Sequence, residues 1–199
     1  MNVSSENKAM ADRVCMVTGA NAGIGKATAI GLAKYGASVV MVCRSRERGE
    51  MALAEIKEKS ANDSISLLLA DLASQSSVRK LAEDFKTRHS ALHVLINNAG
   101  IIPRKRLVTV DGLETQFAVN HLAPFLLTNL LLDVLKTSAP ARIVTVSSEM
   151  HRGATIDFDD LQSERSYRPT RAYSQTKLAN ILFTYELARR LGGSNVTAN

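Results

Sequence analysis

The chain has 199 residues, 45% of them hydrophobic, with 25 basic and 19 acidic side chains and a formal net charge of +6. That length and apolar content are enough to bury one substantial core, and they predict a single domain. The positive balance does not select nucleic acid as a partner, because the basic residues are scattered through helical segments together with the acidic ones.

In chain order, Met1–Asp12 is polar, carries Glu6, Lys8 and Asp12, and has neither the apolar run of a signal peptide nor that of a membrane anchor. The apolar stretches beyond it are interrupted before the roughly 18 residues that a spanning helix needs. The expectation is a soluble cytoplasmic protein, with residues 1–12 as an N-terminal segment and 13–199 as the folded domain. Short β-branched runs then alternate with segments of helical period, the pattern of β-α-β units around a parallel sheet. Val14–Thr18 is a first strand, and Ile24–Tyr35 a helix that stops at Gly36. Ser38–Cys43 and Arg46–Lys59 follow as strand and helix, then Ser64–Leu69 and Ser74–Arg88, the last opened by a capping serine. Leu92–Ile96 is a fourth strand. Asp111 opens the next helix, with Glu114 three residues on as a capping box, and that helix runs to Lys136. Ala141–Ser147 is a fifth strand, nearly continuous in apolar side chains, as expected of a strand covered on both faces. A polar loop with Gly153 and Pro169 leads to a last helix over Thr170–Leu191, ended by Gly192 and Gly193.

Cys15 and Cys43 each sit inside an apolar strand and read as buried thiols of a reducing compartment. His89, His93, His121 and His151 have no metal-ligand spacing with one another or with the cysteines, so no metal site is expected. Of two basic clusters, Arg44/Arg46/Arg48 and Arg104/Lys105/Arg106, only the first stands where an anionic ligand would meet it.

The first strand runs directly into Thr18-Gly19-Ala20-Asn21-Ala22-Gly23-Ile24-Gly25. Glycines at a strand-to-helix turn let backbone approach a pyrophosphate, and the helix start supplies free N–H donors and positive dipole. Taken alone, the same stretch is also an ordinary tight turn. Tyr173 and Lys177 are four residues apart and project from one helix face. A phenol with a pKa of about 10 is a poor acid-base catalyst at neutral pH, but a neighbouring ammonium favours its phenolate. Pro124 lacks the N–H that would bond the carbonyl of Asn120, which leaves that carbonyl available to a water; the same proline also reads as a kink that serves packing alone.

The spacing Gly-x-x-x-Gly-x-Gly resembles that of the short-chain dehydrogenase/reductase family, and the rest of that family's signature follows in order. Asp71-Leu72 comes after the third strand, Asn97-Asn98-Ala99-Gly100 after the fourth, Asn120 in the next helix, Ser147-Ser148 after the fifth strand, and Tyr173-Ser174-Gln175-Thr176-Lys177 on the last helix. The context Asn120-His121-Leu122, the loop from Glu149 to Pro169 and Leu178-Ala179-Asn180 resemble the retinol-dehydrogenase-like and carbonyl-reductase-like members.

The resemblance implies a doubly wound α/β Rossmann fold with strand order 3-2-1-4-5, its sixth and seventh strands cut off at the C-terminus. It implies hydride transfer between a nicotinamide cofactor and a small-molecule carbonyl or alcohol, and a homo-oligomer in the intact parent. Tyr173 would carry the proton, Lys177 would serve both the phenol and the nicotinamide ribose, Ser148 would orient the substrate oxygen, and Asn120 would hold a water chain to Lys177. Ser147 is then a structural hydroxyl. Gly19, Asn21, Gly23, Ile24 and Gly25 would cradle the pyrophosphate; Asp71 and Leu72 would meet the adenine; Asn98, Ala99 and Gly100 would underlie the adenosine ribose. Asp71 reads equally well as a carboxylate at a helix approach. The acid that accepts from the ribose hydroxyls in NAD-binding members falls at Cys43-Arg44-Ser45, where there is none. Arg44 and Ser45 would instead hold a 2′-phosphate, which favours NADP over NAD. A nucleotide-binding regulator without turnover is the alternative, and it would be expected to lack Tyr173 or Lys177.

Overall fold

The computed structural model describes residues 9–199, so the first eight residues of the polar N-terminal segment lie outside the described residues. Six β-branched or leucine-rich runs form β1 (Val14–Thr18), β2 (Ser38–Cys43), β3 (Ile65–Leu69), β4 (Val94–Asn97), β5 (Ala141–Thr145) and β6 (Val196–Ala198). Among the described residues they make one parallel sheet in the order β3-β2-β1-β4-β5-β6. Parallel neighbours cannot be joined by a hairpin, so helices cross over between them: α1 (Gly23–Lys34), α2 (Arg46–Ser60) and α3 (Gln75–Arg88). Between β4 and β5, α4 (Thr115–Phe117), a π turn (Ala118–Leu122) and α5 (Ala123–Thr137) follow without a break, and α6 (Pro169–Arg190) precedes β6.

Alternate strand residues face opposite ways, and both faces are covered. Cys15, Val17, Val39 and Met41 pack with Ala29 and Ala33 of α1 and Ile56 of α2. Met16, Val40 and Leu95 pack on the other side with Phe85, Leu127, Leu131, Leu135 and Leu187 from α3, α5 and α6. The doubly wound expectation therefore holds, and both cysteines are buried and free. Burial pushes the Cys15 thiol up to about 12 and the Cys43 thiol up to about 11, so neither is a nucleophile at neutral pH.

Four expectations change. The sixth strand is not cut off: Val196–Ala198 pairs with β5 from Ala141 to Ile143 and covers an edge that would otherwise be open. The run Thr115–Thr137 forms a continuous helix of 23 residues, long and apolar enough to cross a membrane by length and composition. Half of its most apolar window is nevertheless buried inside the fold, as suits a core helix. That helix does not begin at Asp111. A bridge between Val108 and Glu114, closed by a turn with Gly112 at φ 75°, occupies the residues before it, and Glu114 is the cap, accepting from Gln116 N at 2.8 Å and Phe117 N at 2.7 Å. Asp111 instead accepts from Gln75 N at 2.7 Å, capping α3 from a distant loop. Finally, β5 ends its pairing at Thr145, which leaves Val146–Ser148 as a strand extension aimed at the site.

Thr18 joins the ends of β1 and β4. Its hydroxyl donates to Ile96 O at 3.3 Å and accepts from Asn98 N at 3.0 Å and Ala99 N at 3.1 Å. Thr18→Val keeps the shape but strips two backbone donors of their acceptor, so stability should fall by about 1–3 kcal/mol. An unchanged urea midpoint would show that the hydroxyl is not what holds the strand ends. Burial also holds His89, His93 and His121 below their ordinary value of 6.5. The native state then binds fewer protons than the unfolded chain as the solution is acidified, so this stability is complete above the unfolded value and is lost as pH falls below it. The urea midpoint should drop between about pH 7.5 and about pH 5.5; a midpoint that rises over that interval would contradict the assignment.

Candidate active site

The chain leaves β1 toward one face of the sheet and β4 toward the other, and the divergence opens a crevice at the C-terminal strand ends. Its floor depends on glycines. Gly19 has φ +69°, which places it where side-chain-bearing residues are strained. A Cβ on Gly25 would lie 2.4 Å from Gly19 O and 2.5 Å from the Asn98 amide, so the first turn of α1 can seat on the strand ends only with glycine there. Asn98 Nδ2 in turn donates to Thr18 O at 2.9 Å. The start of α1 has no side-chain cap and no acid in its first turn, so its free N–H groups and positive dipole end face the crevice unneutralised by its own residues.

The resulting cleft has a volume of about 590 Å³. Gly19, Asn21, Gly23, Ile24 and Gly25 line one side of it, and Asn98, Ala99 and Gly100 another. Arg44, Asp71 and Leu72 also line it. Asp71 is exposed, and its Oδ1 accepts from Ala73 N at 2.9 Å. Ser45 does not line the cleft; it caps α2, its Oγ accepting from Arg48 N at 3.4 Å. Thr115 and Val119, one turn apart on the long helix, complete the wall and had no motif to announce them. Arg106, from the second basic cluster, serves the fold, donating to Gln162 O at 2.9 Å and pairing with Glu164.

A second group of side chains gathers behind Gly100. Lys177 is 3% exposed, and its Nζ donates to Val146 O at 2.8 Å. Burial pushes this ammonium below its ordinary value. Its Nζ stands 5.4 Å from the centroid of the Tyr173 ring, as helical spacing predicts for that pair. Ser147 Oγ donates to Lys177 O at 2.9 Å, which makes it the structural hydroxyl expected. Ser148 Oγ accepts from Met150 N at 3.3 Å, capping a single 3₁₀ turn while keeping its own O–H to donate. A Cβ on Gly100 would be 3.8 Å from Lys177 Nζ and 3.6 Å from Asn120 Oδ1, so Gly100 is the thin wall between the cleft and this group.

Asn120 is fully buried, and its carboxamide grips one residue twice: Oδ1 accepts from Ile101 N at 2.9 Å and Nδ2 donates to Ile101 O at 3.0 Å. Its main-chain carbonyl is not open to water, because Asn180 Nδ2 donates to it at 2.9 Å. Pro124 thus frees the acceptor, and a side chain 60 residues on, rather than a water, takes it. The Glu149–Pro169 loop is fastened to the same helix by Gln175, whose Oε1 accepts from Asp157 N and whose Nε2 donates to Leu161 O, each at 3.0 Å.

The sequence pattern described as short chain dehydrogenase matches residues 13–199. The chain is 48% identical over 203 residues to human retinol dehydrogenase 14, an alignment that covers 96% of this chain and 60% of that protein. It thus spans about 60% of the length of that curated relative. Among solved structures, an uncharacterised protein from Mycobacterium paratuberculosis superposes with a TM-score of 0.84 at 44% identity, covering 94% of this chain and 66% of that one. The Pseudomonas aeruginosa RhlG/NADP active-site complex superposes at 0.80 with 28% identity, over 97% and 72% of the two chains. With its parallel sheet, its glycine turn and a family match over residues 13–199, this chain belongs to the short-chain dehydrogenase/reductase family.

Proposed function

We propose that this chain carries the nucleotide-binding and catalytic part of an oxidoreductase that moves a hydride between NADP(H) and a carbonyl/alcohol pair. The observation that carries the reading is the buried Lys177 ammonium beside the Tyr173 ring, separated by one glycine from a cleft built at the start of a helix. The residues fit a dinucleotide. Gly25 lets the first turn of α1 seat on the strand ends at the cleft, the N–H groups of α1 suit a pyrophosphate, and Arg44 stands on the rim with no acid beside it at the end of β2.

When bound, the nicotinamide supplies or takes up the hydride. Tyr173 Oη passes a proton to the substrate oxygen, or receives one from the alcohol. The Lys177 charge steadies the negative charge left on that phenol, and in a water-poor setting the effect is stronger than at the surface. Ser148 donates a hydrogen bond from its hydroxyl to the substrate oxygen, keeping its own proton, and so orients it. A hydrophobic ketone, aldehyde or retinoid-like alcohol is the substrate class, supported by similarity to a protein named retinol dehydrogenase. The choice of NADP is supported by Arg44 and by the NADP held in the RhlG structure.

Tyr173→Phe removes only the proton carrier, so turnover of a carbonyl panel should fall by about 100-fold or more while NADP(H) affinity, read by nucleotide fluorescence, changes little. Turnover within tenfold of the parent would overturn the role given to Tyr173, and a parent with no turnover on any member of the panel would favour a nucleotide-binding regulator. Arg44→Ala tests the cofactor. The parent should show higher kcat/KM with NADP than with NAD, and the variant should lose most of that preference by weakening NADP alone. Equal weakening of both cofactors would mean that Arg44 is not reading the phosphate.

A further inference from the structure

Pro124 deprives the Asn120 carbonyl of its helical donor at a place where both residues are buried. The backbone responds with a π turn over Ala118–Leu122, in which Ala123 N donates to Ala118 O, and with a donor from another element: Asn180 Nδ2, on α6, at 2.9 Å. A carbonyl can only accept, so Asn180 must present its NH₂ there and turn its Oδ1 elsewhere. That Oδ1 lies 3.0 Å from His121 Nδ1, and the ring nitrogen must therefore carry the hydrogen. His121 is itself part of the π turn and is packed against the rings of Phe117 and Phe183. Burial keeps it neutral near physiological pH, consistent with a single Nδ1–H tautomer.

We infer that Asn180, fixed in orientation by the Nδ1–H of His121, is a positioning residue that holds the π turn and thereby sets Asn120 and the Gly100–Ile101 wall against Lys177. The geometry makes the coupling direct. The same residue whose carbonyl Asn180 holds grips Ile101 through its carboxamide and faces Gly100 from 3.6 Å, measured to where a Cβ would stand. Thr176, one turn before Asn180 on α6, meets the Asn120 carboxamide at 3.4 Å, so side chain and backbone of Asn120 are held from one helix face. This assignment rests on the oxidoreductase reading above, because only there does Asn120 belong to the working site.

The test separates the donor from the packing. His121→Phe keeps a ring between Phe117 and Phe183 but has no N–H, whereas His121→Asn gives up the ring and places an amide N–H near the position of Nδ1. Amide exchange at Ile101, compared with Leu95 in the sheet core, should speed by about tenfold in His121→Phe and in Asn180→Leu, and should stay close to the parent in His121→Asn. Turnover should follow the same order, with kcat lowered by about tenfold in His121→Phe and the nucleotide KM nearly unchanged. The parent itself provides a check that needs no variant to fold: its long-range ¹H–¹⁵N spectrum must show His121 as the neutral Nδ1–H tautomer. An Nε2–H tautomer, an Ile101 amide indifferent to His121→Phe, or His121→Asn as damaging as His121→Phe would overturn the assignment. The exchange and tautomer measurements need no turnover, so failure of the oxidoreductase reading, seen as an inactive parent, is distinguishable from failure of this one.

Discussion

The arrangement of the site depends on one buried ammonium. Removing a charge from water costs several kcal/mol even after relaxation, and Lys177 meets that cost without a carboxylate, since among the described residues it makes no salt bridge. What holds it is the Val146 carbonyl on the extension of β5, and Ser147 returns a bond to the Lys177 carbonyl. The reciprocal pair ties α6 to the strand end in one register. Tyr173 lies one turn before Lys177 on that helix, and Ser148 is the next residue after Ser147 on that strand end. Because no acid neutralises it, the positive charge remains available to steady an anion.

The cleft has a different origin, in the absence of side chains. Gly25 lets α1 descend onto the strand ends, Thr18 and Asn98 knit β1 to β4 beneath it, and Gly100 leaves only backbone between the cleft and Lys177. Each contact is possible because something was left out, and a methyl group at Gly25 would collide with backbone. Close approach on the cleft side and burial on the lysine side thus meet at one residue. A ligand seated in the cleft would lie one backbone thickness from the buried Lys177 on α6.

The long helix between β4 and β5 links these parts to the core. Its leucines fill the space between α3 and the sheet, which explains an apolar run long enough to be mistaken for a membrane span. The fold places the irregular part of that helix, the π turn before Pro124, against α6 at the level of the site. π turns cost regular hydrogen bonds and persist where another element repays the lost partner. Here Asn180 is that partner.

The family resemblance implied the doubly wound order of the first five strands. The residues alone determined the alternation of strands and helices, the glycine turn, and the i, i+4 pairing of Tyr173 with Lys177. All of these follow from local periodicity or from backbone conformations that only certain residues permit. Boundaries were also legible to within a residue or two wherever a cap was local, as at Ser45 and Ser74. Local sequence failed where a group's partner is distant along the chain. Asp111 looked like the cap of the helix just after it and instead caps α3, 36 residues away. The Asn120 carbonyl looked free and is held by a residue 60 positions on. Only the tertiary structure decided these, together with the burial of Lys177 and the Ser45 hydroxyl's turn away from the cleft. A buried polar atom takes whichever donor or acceptor packing brings within about 3 Å, and sequence spacing carries no record of that choice.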